Sequence, residues 1–187
     1  MRWTLRRSGG QVTFAHFGPN WLPQSICDRI PLFRRISEIA IETTGVPSPL
    51  YDKIGSLTHI KYLTLYVTNL KDDDLKQLKG LTSLRLLSVG GTEVTNAGMT
   101  YLPELPNLAF VGLFNTSIGD EGLEVLKSMT TLRDLYLNRT QVTDAGLVHM
   151  KGMTNLERLD IRETPTTTEG RVSLRNALPN CTITSNK

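Results

Sequence analysis

A threonine that returns every 24 residues constrains this chain more than any other feature. It stands at Thr44, Thr68, Thr92, Thr116, Thr140 and Thr164. Five and three residues ahead of each lies an aliphatic pair: Ile39/Ile41, Leu63/Leu65, Leu87/Val89, Val111/Leu113, Leu135/Leu137 and Leu159/Ile161. Eight ahead stands another aliphatic, from Ile36 and Ile60 to Leu132 and Leu156. Six residues after the threonine comes a glycine in four repeats, Gly98, Gly122, Gly146 and Gly170. A fixed period of this length is the mark of a stacked-repeat architecture.

The spacing predicts the content of each repeat. Aliphatic-x-aliphatic is a period-two signal, so every unit holds one short strand. The threonine marks the turn out of that strand, where its hydroxyl is expected to bond backbone groups of its own turn and of the neighbouring repeat. Polar residues then open a short helix at Thr95-Asn96, Gly119-Asp120 and Thr143-Asp144. Leu123 and Leu126, or Leu147 and Met150, place one apolar stripe inward. One strand and one helix in 24 residues cannot enclose a core, so each unit must bury its apolar side against the next. The expected class is an α/β solenoid: parallel strands about 4.8 Å apart line the concave face and short helices the convex one.

These residues resemble the leucine-rich repeat in its short bacterial form. Leu132–Met150, LRDLYLNRTQVTDAGLVHM, carries the pattern almost completely. It is similar to the threonine-type repeats of planctomycete proteins, in which Thr replaces the usual ladder Asn. The resemblance spans residues 36–183 and implies about six 24-residue units and a terminal half-repeat, in a right-handed arc that serves as a protein-binding scaffold. Some repeats depart from the pattern. The first has Pro47 and Pro49 and lacks the glycine, so its outer segment is expected to be irregular. The second has Asp74 in place of the glycine, and the last carries Pro165 and Thr166 before Leu178-Pro-Asn-Cys-Thr-Ile183. Gly9–Phe14 and Asn20-Trp21-Leu22 resemble the segment that precedes such repeats, often behind a membrane anchor. Residues 1–35 are expected to form an N-terminal cap, with an edge strand at Val12–Phe17 and a helix interrupted by Pro23 and Pro31 over Trp21–Arg35. Residues 184–187 are a tail.

Composition and motifs exclude several function classes. Residues 1–35 carry six arginines against Asp28, net +5, so residues 36–187 carry net −2 of the chain's +3. A basic patch can form only at the N-terminal end, so nucleic-acid or anionic-surface binding is an alternative confined to Arg6, Arg7, Arg34 and Arg35. Cys27 and Cys181 are far apart and form no CxxC motif. Asp72-Asp73-Asp74 is the one carboxylate cluster, and helix-dipole stabilisation accounts for it. His16, His59 and His149 fall on separate elements. Neither a catalytic motif nor a metal or cofactor site is expected. No apolar run is long enough to cross a bilayer, and no apolar stretch follows the charged N-terminus. The expected location is cytoplasmic, with loss of an upstream anchor as the alternative.

Alternation sends three residues per strand onto the open sheet face. The middle of that face is aromatic: Tyr62, Tyr66, Phe110, Phe114 and Tyr136 are five of the chain's twelve aromatics. Leu86 lies among them, Glu38 and Glu42 at one end, Arg158 and Arg162 at the other. Gly90 lies between Tyr66 and Phe114 in one row and Gly112 lies between Ser88 and Tyr136 in the next, which predicts a shallow recess walled by aromatics. An exposed apolar patch with a charged rim is the pattern of a protein-binding surface. The expected function is a non-catalytic protein-protein interaction module. The alternative on the same face is a carbohydrate or small-molecule binder.

Overall fold

Each aliphatic-x-aliphatic triplet is a strand, and consecutive strands lie side by side. The computed structural model describes residues 2–7, 10–15, 36–42 and 44–186. Its strands are β1 (Arg2–Arg7), β2 (Gly10–Ala15), β3 (Ile36–Glu42), β4 (Tyr62–Tyr66), β5 (Leu86–Ser88), β6 (Phe110–Gly112), β7 (Asp134–Tyr136), β8 (Arg158–Asp160) and β9 (Thr182–Thr184). They form one sheet in the order β2-β1-β3-β4-β5-β6-β7-β8-β9. From β3 to β9 every neighbour is parallel, and Leu63, Leu87, Val111, Leu135, Leu159 and Ile183 fall in one row. A parallel neighbour needs a crossover. The crossovers are α1 (Pro49–Gly55), α2 (Asp72–Gln77), α3 (Asn96–Met99), α4 (Asp120–Leu126), α5 (Asp144–Met150) and α6 (Thr168–Ala177).

The core lies between sheet and helices. The strand aliphatics supply one wall, with Leu63, Leu65, Leu87, Val89, Val111, Leu113, Leu135 and Leu137 fully buried. The helices supply the other through Leu75, Met99, Leu123, Leu147 and Leu174. Helices this short are marginal alone, and packing plus capping holds them. The hydroxyls of Thr95, Thr143 and Thr167 accept from Ala97, Ala145 and Gly170 N–H at the helix starts.

Two expectations are corrected. The outer segment of the first repeat is regular: α1 begins on Pro49, whose missing N–H costs nothing at a first helical position. It buries Leu50, Tyr51 and Ile54. At the N-terminus the chain builds two strands where alternation pointed to one. β2 is the sheet's edge strand, and β1 is inserted antiparallel between it and β3. Register sets Arg2 opposite Glu42 and Arg6 opposite Glu38. The helix expected over Trp21–Arg35 lies outside the described residues.

Candidate functional site

The turns position the open sheet face. Thr92, Thr116, Thr140 and Thr164 are buried, and each hydroxyl donates to the carbonyl three residues earlier, at Val89, Leu113, Leu137 and Ile161, over 2.5–2.7 Å. These bonds close each turn on itself, so the expected reach of these four hydroxyls into the neighbouring repeat is corrected. Thr68 is buried too, and its hydroxyl accepts weakly from Leu70 N–H at 3.4 Å. Thr44, at the first turn, is exposed. The residue ahead of each of the last five column threonines is left-handed: Val67, Gly91, Asn115, Arg139 and Glu163 have φ of 51–67°. Their N–H groups carry the ladder one step past the strands, Val67 to Gly90 O, Gly91 to Phe114 O and Asn115 to Asn138 O.

The face itself is aromatic and partly exposed. Tyr62 and Tyr66 are 39% and 38% exposed, while Leu86, Phe110, Phe114 and Tyr136 are half-buried. The expected recess at Gly90 is closed. The Phe114 ring lies flat on Gly90, where a β-carbon would stand inside it, and its centroid comes within 5.6 Å of the Tyr66 ring. Phe110 stacks on Tyr136 at 5.0 Å, closing over the side of Gly112. Glycine here gives the rings a seat, and four of the aromatics pave the face in two pairs, Tyr66 with Phe114 and Phe110 with Tyr136, in place of a walled hollow.

At the far end the charges are paired. Arg158 grips Asp134 on the preceding strand with Nε and Nη2, at 2.5 and 2.6 Å. Arg162 folds back onto Asp160 at 2.6 Å. Both carboxylates are buried, whereas the guanidinium groups are more than half exposed. Off this face, His59 lies ahead of β4 and His149 on α5, and His16 lies outside the described residues. Among the described residues no three His, Cys, Asp or Glu side chains gather as metal ligands, and no helix is long and apolar enough to cross a membrane. Burial pushes the Cys181 thiol up, which keeps it protonated and a poor nucleophile.

The leucine-rich repeat family model matches residues 128–149. A leucine-rich repeat protein of Leptospira interrogans superposes with a TM-score of 0.60 at 21% identity, over 87% of this chain. This chain spans 39% of that protein's length. Internalin C2 of Listeria monocytogenes superposes with a TM-score of 0.61 at 20% identity, over 82% of each chain. No curated protein sequence matches significantly. The fold is a leucine-rich repeat solenoid.

Sequence reasoning missed what links successive leucine-rich repeats on the helical side. Asp72, Asn96, Asp120 and Asp144 recur at the first position of α2 to α5, where periodicity suggested helix caps alone. Each reaches into the next repeat. Asp72 accepts from the N–H and hydroxyl of Thr95 at 2.8 and 2.6 Å. Asp120 does the same with Thr143, Asp144 with Thr167, and Asn96 accepts from Gly119 N–H. The repeat glycine follows from this ladder. A β-carbon on Gly98, Gly146 or Gly170 would overlap the carboxylate of the preceding repeat, and on Gly122 it would stand 2.8 Å from Asn96 Oδ1. Asp74 occupies the glycine position in the second repeat, where the corresponding residue one repeat earlier is Ser48. There it is buried and accepts from Lys71 N–H at 3.0 Å. The 24-residue recurrence of the acids was the available signal.

Proposed function

We propose that this chain is a non-catalytic protein-protein interaction module that takes its partner on the concave face. The observation that carries the reading is the pavement of Tyr62, Tyr66, Leu86, Phe110, Phe114 and Tyr136. These side chains point away from the core yet are apolar, and the leucine-rich repeat stack closes without them. Gly90 and Gly112 set the ring positions. Arg158 and Arg162 form a rim whose charges are already balanced by buried carboxylates. In this reading residues 1–35 cap the stack, residues 36–183 carry the repeats and residues 184–187 are a tail. The column at Thr44, Thr68, Thr92, Thr116, Thr140 and Thr164 supports placing it with the threonine-type bacterial repeats. A free Cys181 thiol fits a reducing, cytoplasmic location.

The test uses a partner captured from native lysate and then purified. Binding energy concentrates in a few central aromatic anchors worth about 2 kcal/mol each. Phe114→Ala is therefore expected to weaken binding roughly thirtyfold with the fold intact. Glu124→Lys, on the exposed side of α4, is expected to leave affinity unchanged. The opposite pattern would place the binding surface on the convex side. Gly90→Leu is unsuitable as a recess-filling probe, because it would evict the Phe114 ring.

A further inference from the structure

β9 (Thr182–Thr184) stands last in the sheet order, with a strand on one side only. Thr182 and Thr184 spend their backbone groups on the β8 side: Thr182 N–H donates to Glu157 O at 2.8 Å, and Thr184 O accepts from Ile161 N–H at 2.9 Å. Successive residues of a strand aim these groups at opposite edges, so Ile183 N–H and C=O point to the open one. Its side chain is half-covered as well. Leu63, Leu87, Val111, Leu135 and Leu159 in the same row have a strand on both sides and are 0–1% exposed, whereas Ile183 is only partly buried. Proteins guard an open edge with lysine, proline or a bulge. Thr182-Ile183-Thr184 has no lysine or proline and is a run of strand formers. Cys181, Ile183 and Ser185 alternate onto the helix side of the sheet. There Arg175 of α6 donates to Ser185 Oγ at 3.0 Å. Arg171, one turn earlier on the same side of the helix, donates to Thr166 O and Thr168 Oγ1. Among the described residues neither arginine makes an ion pair. The acids of this region are engaged or turned away. Glu157 and Glu163 pair with Arg133 and Arg139, Asp144 is held by Thr167, and Glu169 lies two residues from Arg171, on another side of α6.

We propose that β9 takes up an extended acidic segment of a partner protein as a further strand, with an aliphatic side chain on Ile183 and a carboxylate two residues away on Arg175. This edge is a second surface, distinct from the concave aromatic face. Strand addition uses the free Ile183 N–H and C=O, and side chains in alternate positions give it specificity. Positions opposite Ile183 and Ser185 fall on the same side of the sheet. An acid two positions from the aliphatic therefore arrives where Arg175 meets Ser185, and a guanidinium binds a carboxylate by strong charge-assisted hydrogen bonds. The aliphatic completes the burial that every earlier member of the row already has. A second copy of this chain lacks the matching charge. Residues 181–186 hold no acid, so pairing β9 with itself would bring arginines against arginines.

The experiment follows the full isotope-labelled chain by NMR during titration with a peptide reading Thr-Glu-Thr-Val-Thr-Glu-Thr, whose pattern is the same in either strand direction. Its controls are the same peptide N-methylated along the backbone and a version with lysine for each glutamate. The expected result is binding of the acidic peptide alone, with amide shifts centred on β9 and α6 and slowed exchange of the Ile183 N–H. Arg175→Glu should weaken it about tenfold or more and admit the lysine peptide, a reversal that misfolding would not produce. Failure of the acidic peptide to bind would overturn the proposal. Equal affinity for the N-methylated peptide would do the same, since charge attraction alone needs no amides. So would lysine-peptide binding to the unaltered chain, or a dimer in sedimentation that already protects the Ile183 N–H. Phe114→Ala should leave the peptide's affinity unchanged. A peptide lost on Phe114→Ala lies on the concave face, and the edge assignment falls while the aromatic surface stands. A purified partner that ignores Phe114→Ala but is lost on Arg175→Glu overturns the concave reading and leaves this one in place.

Discussion

Thr116 shows how one hydroxyl fixes a turn. It is 8% exposed and donates to Leu113 O at 2.5 Å, closing the chain as it leaves β6. Valine has nearly the same shape but no donor, so Thr116→Val strands a buried carbonyl. The expected loss is about 1–3 kcal/mol, read by urea denaturation. Val67 shows the reverse. At φ 51° it occupies the left-handed region, where a β-branched residue is disfavoured, and it is 42% exposed, so little burial offsets the cost. The same position holds Gly91 and Asn115 in later repeats. Val67→Asn is expected to raise stability by about 1 kcal/mol, seen as a higher urea midpoint with unchanged slope. Tyr51 is a third case, fully buried in the first repeat. Burial pushes its phenol up to about 12, partly offset by the adjacent Thr68 hydroxyl, so it stays neutral through the physiological range.

Between elements, the acid and the glycine are one device. A helix start welcomes a carboxylate, and Asp120 uses that place to hold Thr143 at the next helix start. The carboxylate then occupies the space where Gly146 would carry a β-carbon. Gly146→Ala is therefore expected to cost about 2 kcal/mol, although alanine ordinarily favours a helix. With Asp120→Ala already present that cost should largely vanish. A double-mutant cycle in urea that gave simple additivity would break the link between them. Asp74 is nature's version of the same test, a side chain at the glycine position of the second repeat.

Over the whole molecule, stability is a chain of nearest-neighbour couplings, because each repeat touches chiefly the one before and the one after. The ladder makes part of that coupling titratable. Hydrogen bonds from Thr167, hydroxyl first and N–H second, hold the Asp144 carboxyl below its ordinary 3.8. The unfolded chain therefore binds this proton more readily than the folded one. Asp144 contributes stability that is present above about pH 4 and is lost as pH falls through its lower folded value. Asp144→Asn keeps an acceptor, as Asn96 does for Gly119. It is expected to flatten the acid limb of the stability curve below about pH 4 while changing little at pH 7. Chemical denaturation at a series of pH values checks this, and an acid limb identical to wild type would rule out Asp144 as a contributor.

The sequence by itself determined the strands of the repeats, their parallel order, the inward rows of aliphatics and the turn at each threonine, but not the antiparallel β1 inserted ahead of them. A weak local signal becomes strong when it repeats in register, and a unit too small for its own core has only stacking available. It also determined which side chains face outward, since alternation along a strand has period two. The tertiary structure alone decided what those side chains do with one another. Whether Phe114 walls a hollow or lies down on Gly90 depends on the room its neighbours leave. Whether Arg158 is a free cation or a clamp on Asp134 depends on the adjoining strand. That Asp144 serves the following repeat as well as its own helix depends on how closely two helices approach. So does the helix that begins on Pro49 and buries Tyr51 against the second repeat. Each is a contact between residues far apart in the chain, set by distance and packing that periodicity does not encode.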